Sequence, residues 1–144
     1  MALKIEDMIS PVVKSLPPSG IRKFFDLVAN SQGIISLGVG EPDFATPQHI
    51  RKASITAINR GKTSYTSNRG TLQLRTAIAE YLSLQYGINY DPEEEILITI
   101  GASEAVDLAL RAVICPGDEI IVVEPSYVSY KPCTILAGGH PISI

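Results

Sequence analysis

The sequence predicts an α/β fold built on a parallel sheet, and three observations carry that expectation. Two short apolar runs, ILITI (96–100) and EIIVVE (119–124), have almost no polar alternation, as strands covered on both faces do. Each run is followed by glycine or proline and then by a stretch of helical length, residues 102–114 after the first and about 127–137 after the second. A third strand then starts at Pro141 and reaches Ile144, so the C-terminal part reads β-α-β-α-β.

The elements before this alternation read as helices and loops. Lys4, Glu6, Asp7 and Lys14 are scattered through MALKIEDMISPVVKSL, and Pro17-Pro18-Ser19-Gly20 makes a stiff joint after it. Residues 1–20 are therefore an N-terminal arm, 21–90 a helical and loop segment, and 91–144 the start of an α/β domain. Ile21, Phe24, Phe25 and Val28 recur at helical spacing after Ser19, predicting a short helix over 20–30. The stretch 34–47, IISLGVGEPDFATP, has the glycine and proline content of a loop, and Thr46-Pro47 reads as an N-cap followed by the first helical residue. Ile50, Ala53, Ala57 and Ile58 form that helix's inner stripe, and Gly61 ends it. The longest helix runs from Thr71 to Tyr86, with Leu74, Ala77, Ile78, Tyr81, Leu82 and Gln85 on one face and Gly87 at the left-handed C-terminal position.

Composition bounds the function. The chain has 144 residues, 45% hydrophobic and 19% charged, with twelve basic and fifteen acidic side chains. A chain of this size can bury about 70% of its unfolded surface, enough for a core of its own. No basic run is longer than two residues, so there is no electrostatic footprint for nucleic acid. No segment approaches the roughly 18 apolar residues of a membrane span, and no uninterrupted apolar stretch marks a secretory signal, so the expected location is the cytoplasm. Cys115 and Cys133 have neither zinc-ligand nor disulfide-framework spacing and are expected to be reduced.

Two places carry candidate chemistry. In ITIGASEA (98–105) a buried strand delivers the glycine turn at Gly101 to a helix start at Ala102-Ser103. Unpaired N–H groups and the positive helix end make such a point a seat for phosphate, and the Ser103 hydroxyl adds a donor. Gly101 serving only the turn and Ser103 serving only as a cap is the competing reading. Neither GxxxxGKS nor GxGxxG occurs, which argues against nucleoside triphosphates and NAD. In EPSYVSYKP (124–132), Tyr127 and Tyr130 follow the next strand at the edge where open α/β sheets gather ligands, and an aromatic there can stack on a flat ring. Tyr65, Ser67, Asn68 and Arg69 lie in an exposed connection, where solvated residues are commoner than functional ones. Spacing alone identifies no catalytic constellation.

Taken in order, SLGVGEPDFATP (36–47), Tyr65 with Asn68-Arg69-Gly70, ITIGASEA with PGDEIIV (116–122), and EPSYVSY (124–130) resemble the class I and II aminotransferases, enzymes of the aspartate aminotransferase fold that use pyridoxal 5'-phosphate (PLP). The resemblance runs from about Ile21 to the last residue. It implies an incomplete PLP-dependent transferase fold: the N-terminal segment and the first β-α-β units of the large domain. It also implies that later strands of the family's sheet separate ILITI from EIIVVE. By resemblance, Gly101, Ala102 and Ser103 bind the cofactor phosphate, chiefly through the amides of Ala102 and Ser103, and Tyr127 stacks on the pyridine ring. Tyr65 reaches the phosphate of a neighbouring subunit, which implies a homodimer. Gly40 gives a backbone N–H to the substrate carboxylate, with Val39 beside the substrate. The substrates implied are an amino acid and a 2-oxo acid. None of Lys4, Lys14, Lys23, Lys52, Lys62 or Lys131 lies in the family's serine-rich segment before the Schiff-base lysine, so the chain alone is expected to be inactive. A carbon–sulfur lyase of the same fold and a non-catalytic dimerisation or interaction fragment are the alternatives.

Overall fold

The computed structural model describes residues 4–21, 33, 35, 40 and 42–144. The helix expected over 20–30 lies outside them beyond Ile21. The chain divides into two units, Met1–Asp26 with Thr99–Ile144, and Leu27–Ile98.

In the first unit a 3-10 turn (Ile5–Met8) precedes helix α1 (Pro11–Ser15), which opens on proline where a missing N–H costs nothing. The rest of the unit contains the helix Gly101–Val113, strand β1 (Glu119–Val122), the helix Tyr130–Leu136 and strand β2 (His140–Ser143). The strands are parallel, with Glu119 opposite His140 and Val122 opposite Ser143. β2 bonds to its neighbour through the N–H groups of His140, to Asp118 O at 2.7 Å, and Ile144, to Val122 O at 3.1 Å. Pro141 falls on the other phase, where the N–H would face away from β1, so its lack of a donor breaks no rung. The turn into β1 is tied by the Asp118 carboxylate, which accepts the Cys115 N–H at 2.8 Å, and by Gly117 N–H donating to Gly138 O at 2.9 Å.

Ile114, Val122 and Thr134 form the buried centre of this unit. Thr134 is the most enclosed, at 1% exposure, and its hydroxyl donates back to Tyr130 O at 2.9 Å, as a threonine inside a helix can. β1 was expected to be covered on both faces. Instead Ile120 and Val122 point inward while Ile121 and Val123 stand in solvent, because the sheet has only one covered face here.

In the second unit, helix α2 (Gln48–Asn59) begins one residue later than the Thr46-Pro47 pattern suggested, with Pro47 itself as the cap. Its expected inner stripe is not buried: Ile50 and Ile58 are exposed. Helix α3 (Leu72–Tyr86) begins one residue later than expected, with Thr71 as its cap, and ends where predicted. Thr71 Oγ1 accepts the Leu74 N–H at 3.4 Å, and Gly87 takes the left-handed conformation at φ +68°. Its inner face is rotated from the predicted one, onto Arg75, Ile78, Ala79 and Leu82, while Leu74 and Tyr81 stay outside.

Arg75 is buried because it clasps the turn at 91–95. Its guanidinium donates to the carbonyls of Pro92 and Glu93, and Arg69 donates to the Glu93 carbonyl and pairs with Glu94 at 3.3 Å. The turn also ties itself, with Asp91 N–H donating to Glu95 and Glu93 N–H donating to Asp91, each at 2.7 Å.

Two expectations fail on neighbours that are not there. ILITI forms no strand: Ile98 N–H donates to Arg69 O at 3.1 Å, but no described segment supplies a ladder beside it. The helix Gly101–Val113 was expected to be largely buried and contains no buried residue. Among the described residues, no helix is long and apolar enough to cross a membrane.

Candidate functional site

The site is built where helix α4 (Gly101–Val113) begins. Gly101 enters it at φ +76°, a left-handed conformation that glycine adopts without strain, and a side chain there would meet no atom within 4 Å. The turn is braced by Gly101 N–H donating to Thr99 O at 2.9 Å and by Thr99 Oγ1 donating to Gly101 O at 3.0 Å. Glu104 folds back to accept the Ile100 N–H, and so leaves the next amides alone. The N–H groups of Ala102 and Ser103 have no acceptor among the described residues, because the first turn of a helix offers none.

Tyr127 comes to this helix start from the far end of β1. Its hydroxyl lies 2.9 Å from Ser103 Oγ, and its ring is half exposed rather than buried in the core. The Ser103 contact, and then one from Ser129, holds the phenol below the usual tyrosine pKa, since a hydrogen bond to the ionised form favours it. Tyr130 packs edge-to-face on Tyr127, with ring centroids 5.6 Å apart and planes at 80°.

The helix expected over 127–137 starts only at Tyr130 and runs to Leu136 as α5. Residues 127–130 instead make a tight turn closed by Tyr130 N–H donating to Tyr127 O at 3.1 Å. That turn, rather than a helical one, sends Tyr127 toward Ser103. Just before it Glu124 pairs with Lys131 at 2.5 Å, and the hydrogen bond from Lys131 holds the Glu124 carboxyl below its ordinary pKa.

Of the residues singled out from sequence, Gly101, Ala102, Ser103 and Tyr127 are therefore brought together. Gly40 and Tyr65 belong to the other unit, where both are exposed, Tyr65 completely. Val39 lies outside the described residues. Sequence reading did not anticipate the Ser103–Tyr127 contact or the Glu124–Lys131 pair; the second was open to it as opposite charges flanking a short turn.

A concavity of about 440 Å³ lies between α4, β1 and α5, lined by Val106, Leu110, Ile120, Val122 and Thr134 among others. Its lining is almost wholly apolar, so it offers packing surface and no acid or base. Cys115 and Cys133 are both free thiols, and partial burial pushes the Cys133 thiol up. Among the described residues no cluster of histidine, cysteine or carboxylate side chains is arranged to hold a metal ion.

Comparison with known proteins identifies the family. Residues 32–144 match the family model for aminotransferase class I and II. The chain is 49% identical over 136 residues to YugH of Bacillus subtilis (strain 168), an aminotransferase by name, covering 94% of this chain and 35% of that protein. It is 46% identical over 127 residues to an aspartate aminotransferase of Pyrococcus abyssi, covering 88% of this chain and 33% of the relative. The crystal structure of the aspartate aminotransferase from Rhizobium meliloti superposes with a TM-score of 0.85 at 35% identity, over 94% of this chain and 35% of that one. The chain thus spans about a third of the length of the relatives it matches. Over that third it has the aspartate aminotransferase fold, and it belongs to the class I and II aminotransferase family.

Proposed function

We propose that this chain is the N-terminal portion of a PLP-dependent aminotransferase that moves an amino group between an amino acid and a 2-oxo acid, and that it works in the cytoplasm as a homodimer. The observation that carries the reading is the pair of unengaged amides at Ala102 and Ser103 beside an exposed hydroxyl pair, in a chain of this family. Such a cradle suits the phosphate of PLP: two N–H donors, one hydroxyl donor and the positive end of a thirteen-residue helix converge, and the space over Gly101 is open.

When bound, PLP supplies an electron sink for charge developing at the amino acid's α-carbon. The chain's own residues bind and orient. Ala102 and Ser103 anchor the phosphate, and Tyr127 lies against the cofactor ring. Gly40 offers its N–H to the substrate carboxylate with Val39 alongside. Tyr65, projecting into solvent, serves the phosphate of the partner subunit. A carbon–sulfur lyase is disfavoured, since the relatives described above carry aminotransferase names.

The test is a chimera in which this chain replaces the corresponding third of the Pyrococcus abyssi aspartate aminotransferase. The expected result is PLP-dependent formation of a 2-oxo acid from an amino acid. Ser103→Ala should weaken PLP retention about tenfold or more, the effect of losing a hydrogen bond to a charged group. A folded, dimeric chimera that retains no PLP would contradict the proposal.

A further inference from the structure

We propose that the Tyr127 hydroxyl is a positioning group for the phosphate end of the site: it donates to Ser103 Oγ, so that the serine's single proton is left for the anion at the Ala102 and Ser103 amides. The inference rests on the phosphate reading of those amides and assigns to Tyr127 a role separate from stacking on a ring.

The argument is one of counting protons. A hydroxyl carries one hydrogen and two acceptor positions. At 2.9 Å the Ser103 and Tyr127 oxygens share one hydrogen bond, and with nothing else present either can donate. A fully ionised phosphate monoester at the helix start accepts only. It takes the Ser103 proton, and the contact with Tyr127 can then persist only if the phenol is the donor. The chain from phenol to serine to anion polarises in one direction, which strengthens each link. A phenol is far more acidic than an aliphatic hydroxyl, so of the two groups Tyr127 is the stronger donor.

The phenol is also held in place. Residues 127–130 are closed by the Tyr130 N–H to Tyr127 O bond, and the Tyr130 ring meets the Tyr127 ring edge-to-face. Tyr130 is fixed in turn by the hydroxyl of the fully buried Thr134 on its carbonyl. Ser103, in contrast, stands on an exposed helix start, and its rotor has no other described partner. The better-anchored hydroxyl therefore orients the freer one.

Tyr127→Phe keeps the ring and removes the hydroxyl, so it isolates this role. Dissociation constants for PLP, inorganic phosphate and pyridoxal are measured on the 144-residue chain and on Tyr127→Phe, Ser103→Ala and the double variant. Tyr127→Phe should weaken PLP and phosphate about three- to tenfold, the range of one net hydrogen bond, and leave pyridoxal unchanged. In the Ser103→Ala background the same change should have no further effect. Both side chains are exposed, and the unchanged pyridoxal value reports that the fold has survived. Unaltered phosphate binding in Tyr127→Phe, an equal loss for PLP and pyridoxal, or a loss that persists without Ser103 would overturn the inference while leaving the phosphate seat standing. Wild-type chain that binds neither PLP nor phosphate would overturn the seat and this inference together.

Discussion

Incubated with PLP, an amino acid and a 2-oxo acid, the 144-residue chain should give no product above the reaction of free PLP. The chain has six lysines, and none falls within the Gly101–Ser103 junction or the 124–130 segment. Lys131, next to Tyr130, is held by Glu124 at 2.5 Å. Lys52 and Lys62 belong to the other unit, and Lys4 and Lys14 sit on the N-terminal arm. Without an amine in register with the bound cofactor, both covalent attachment and positioned proton transfer are lost. Positioning alone accounts for about five orders of magnitude or more in well-oriented systems, so the effect is a loss of measurable turnover rather than a slowing. Reductive trapping with borohydride after PLP addition, read by mass spectrometry, should show sparse labelling spread over several lysines. Stoichiometric labelling of one lysine, together with amino-acid-dependent 2-oxo acid formation, would show the chain to be a complete catalyst.

Gly70→Ala should be the most damaging single methyl group in the second unit. Gly70 sits at φ +86°, and a Cβ there would lie 2.5 Å from Ile98 Cγ1 and 2.6 Å from Ile98 Cβ. The second of these is anchored directly to the backbone, so a rotamer change cannot relieve it. The two segments cannot move apart cheaply either, because Ile98 N–H donates to Arg69 O and both arginines clasp the 91–95 turn. Left-handed strain and overpacking together should cost about 2–5 kcal/mol. Against a unit whose buried centre among the described residues is little more than Arg75 and Ala79, that is enough to unfold it. Denaturant titration followed by hydrogen exchange at the Ile98 amide reports the loss. Ile98→Ala in the same chain should restore the part due to crowding but not the part due to φ. An unchanged unfolding midpoint for Gly70→Ala would show that the close approach is not a feature of the folded chain.

What could be read from sequence was whatever depends on near neighbours. Gly87 marks the C-terminal end of α3 because a left-handed cap is local chemistry. The β1–α5–β2 order was legible because strand, turn and helix alternate within thirty residues. ILITI was misread for the opposite reason: an apolar run becomes a strand only when another strand supplies its hydrogen bonds, and no composition can supply that. Arg75 was missed because an arginine on a helix is read as facing outward, whereas two carbonyls of a distant turn draw it inward. At the site, Gly101, Ala102 and Ser103 were legible as a glycine turn into a helix start and Tyr127 by its place after a strand. Their meeting across twenty-four residues was not, because it depends on a turn at 127–130 where the pattern suggested continuous helix. Ile121, Val123 and, on α4, Leu108 and Val113 stand in solvent, an exposure that an apolar pattern alone does not reveal.

The central claim, that the start of α4 is a phosphate seat, is tested most directly by following backbone amide shifts of the 144-residue chain as PLP is added. The account predicts that Ala102 and Ser103 shift first and furthest, that inorganic phosphate moves the same two amides in the same direction, and that the amides at the N-terminal end of α3 do not respond. Shifts distributed evenly over the chain, or an unperturbed Ala102 and Ser103 at saturating PLP, would contradict it.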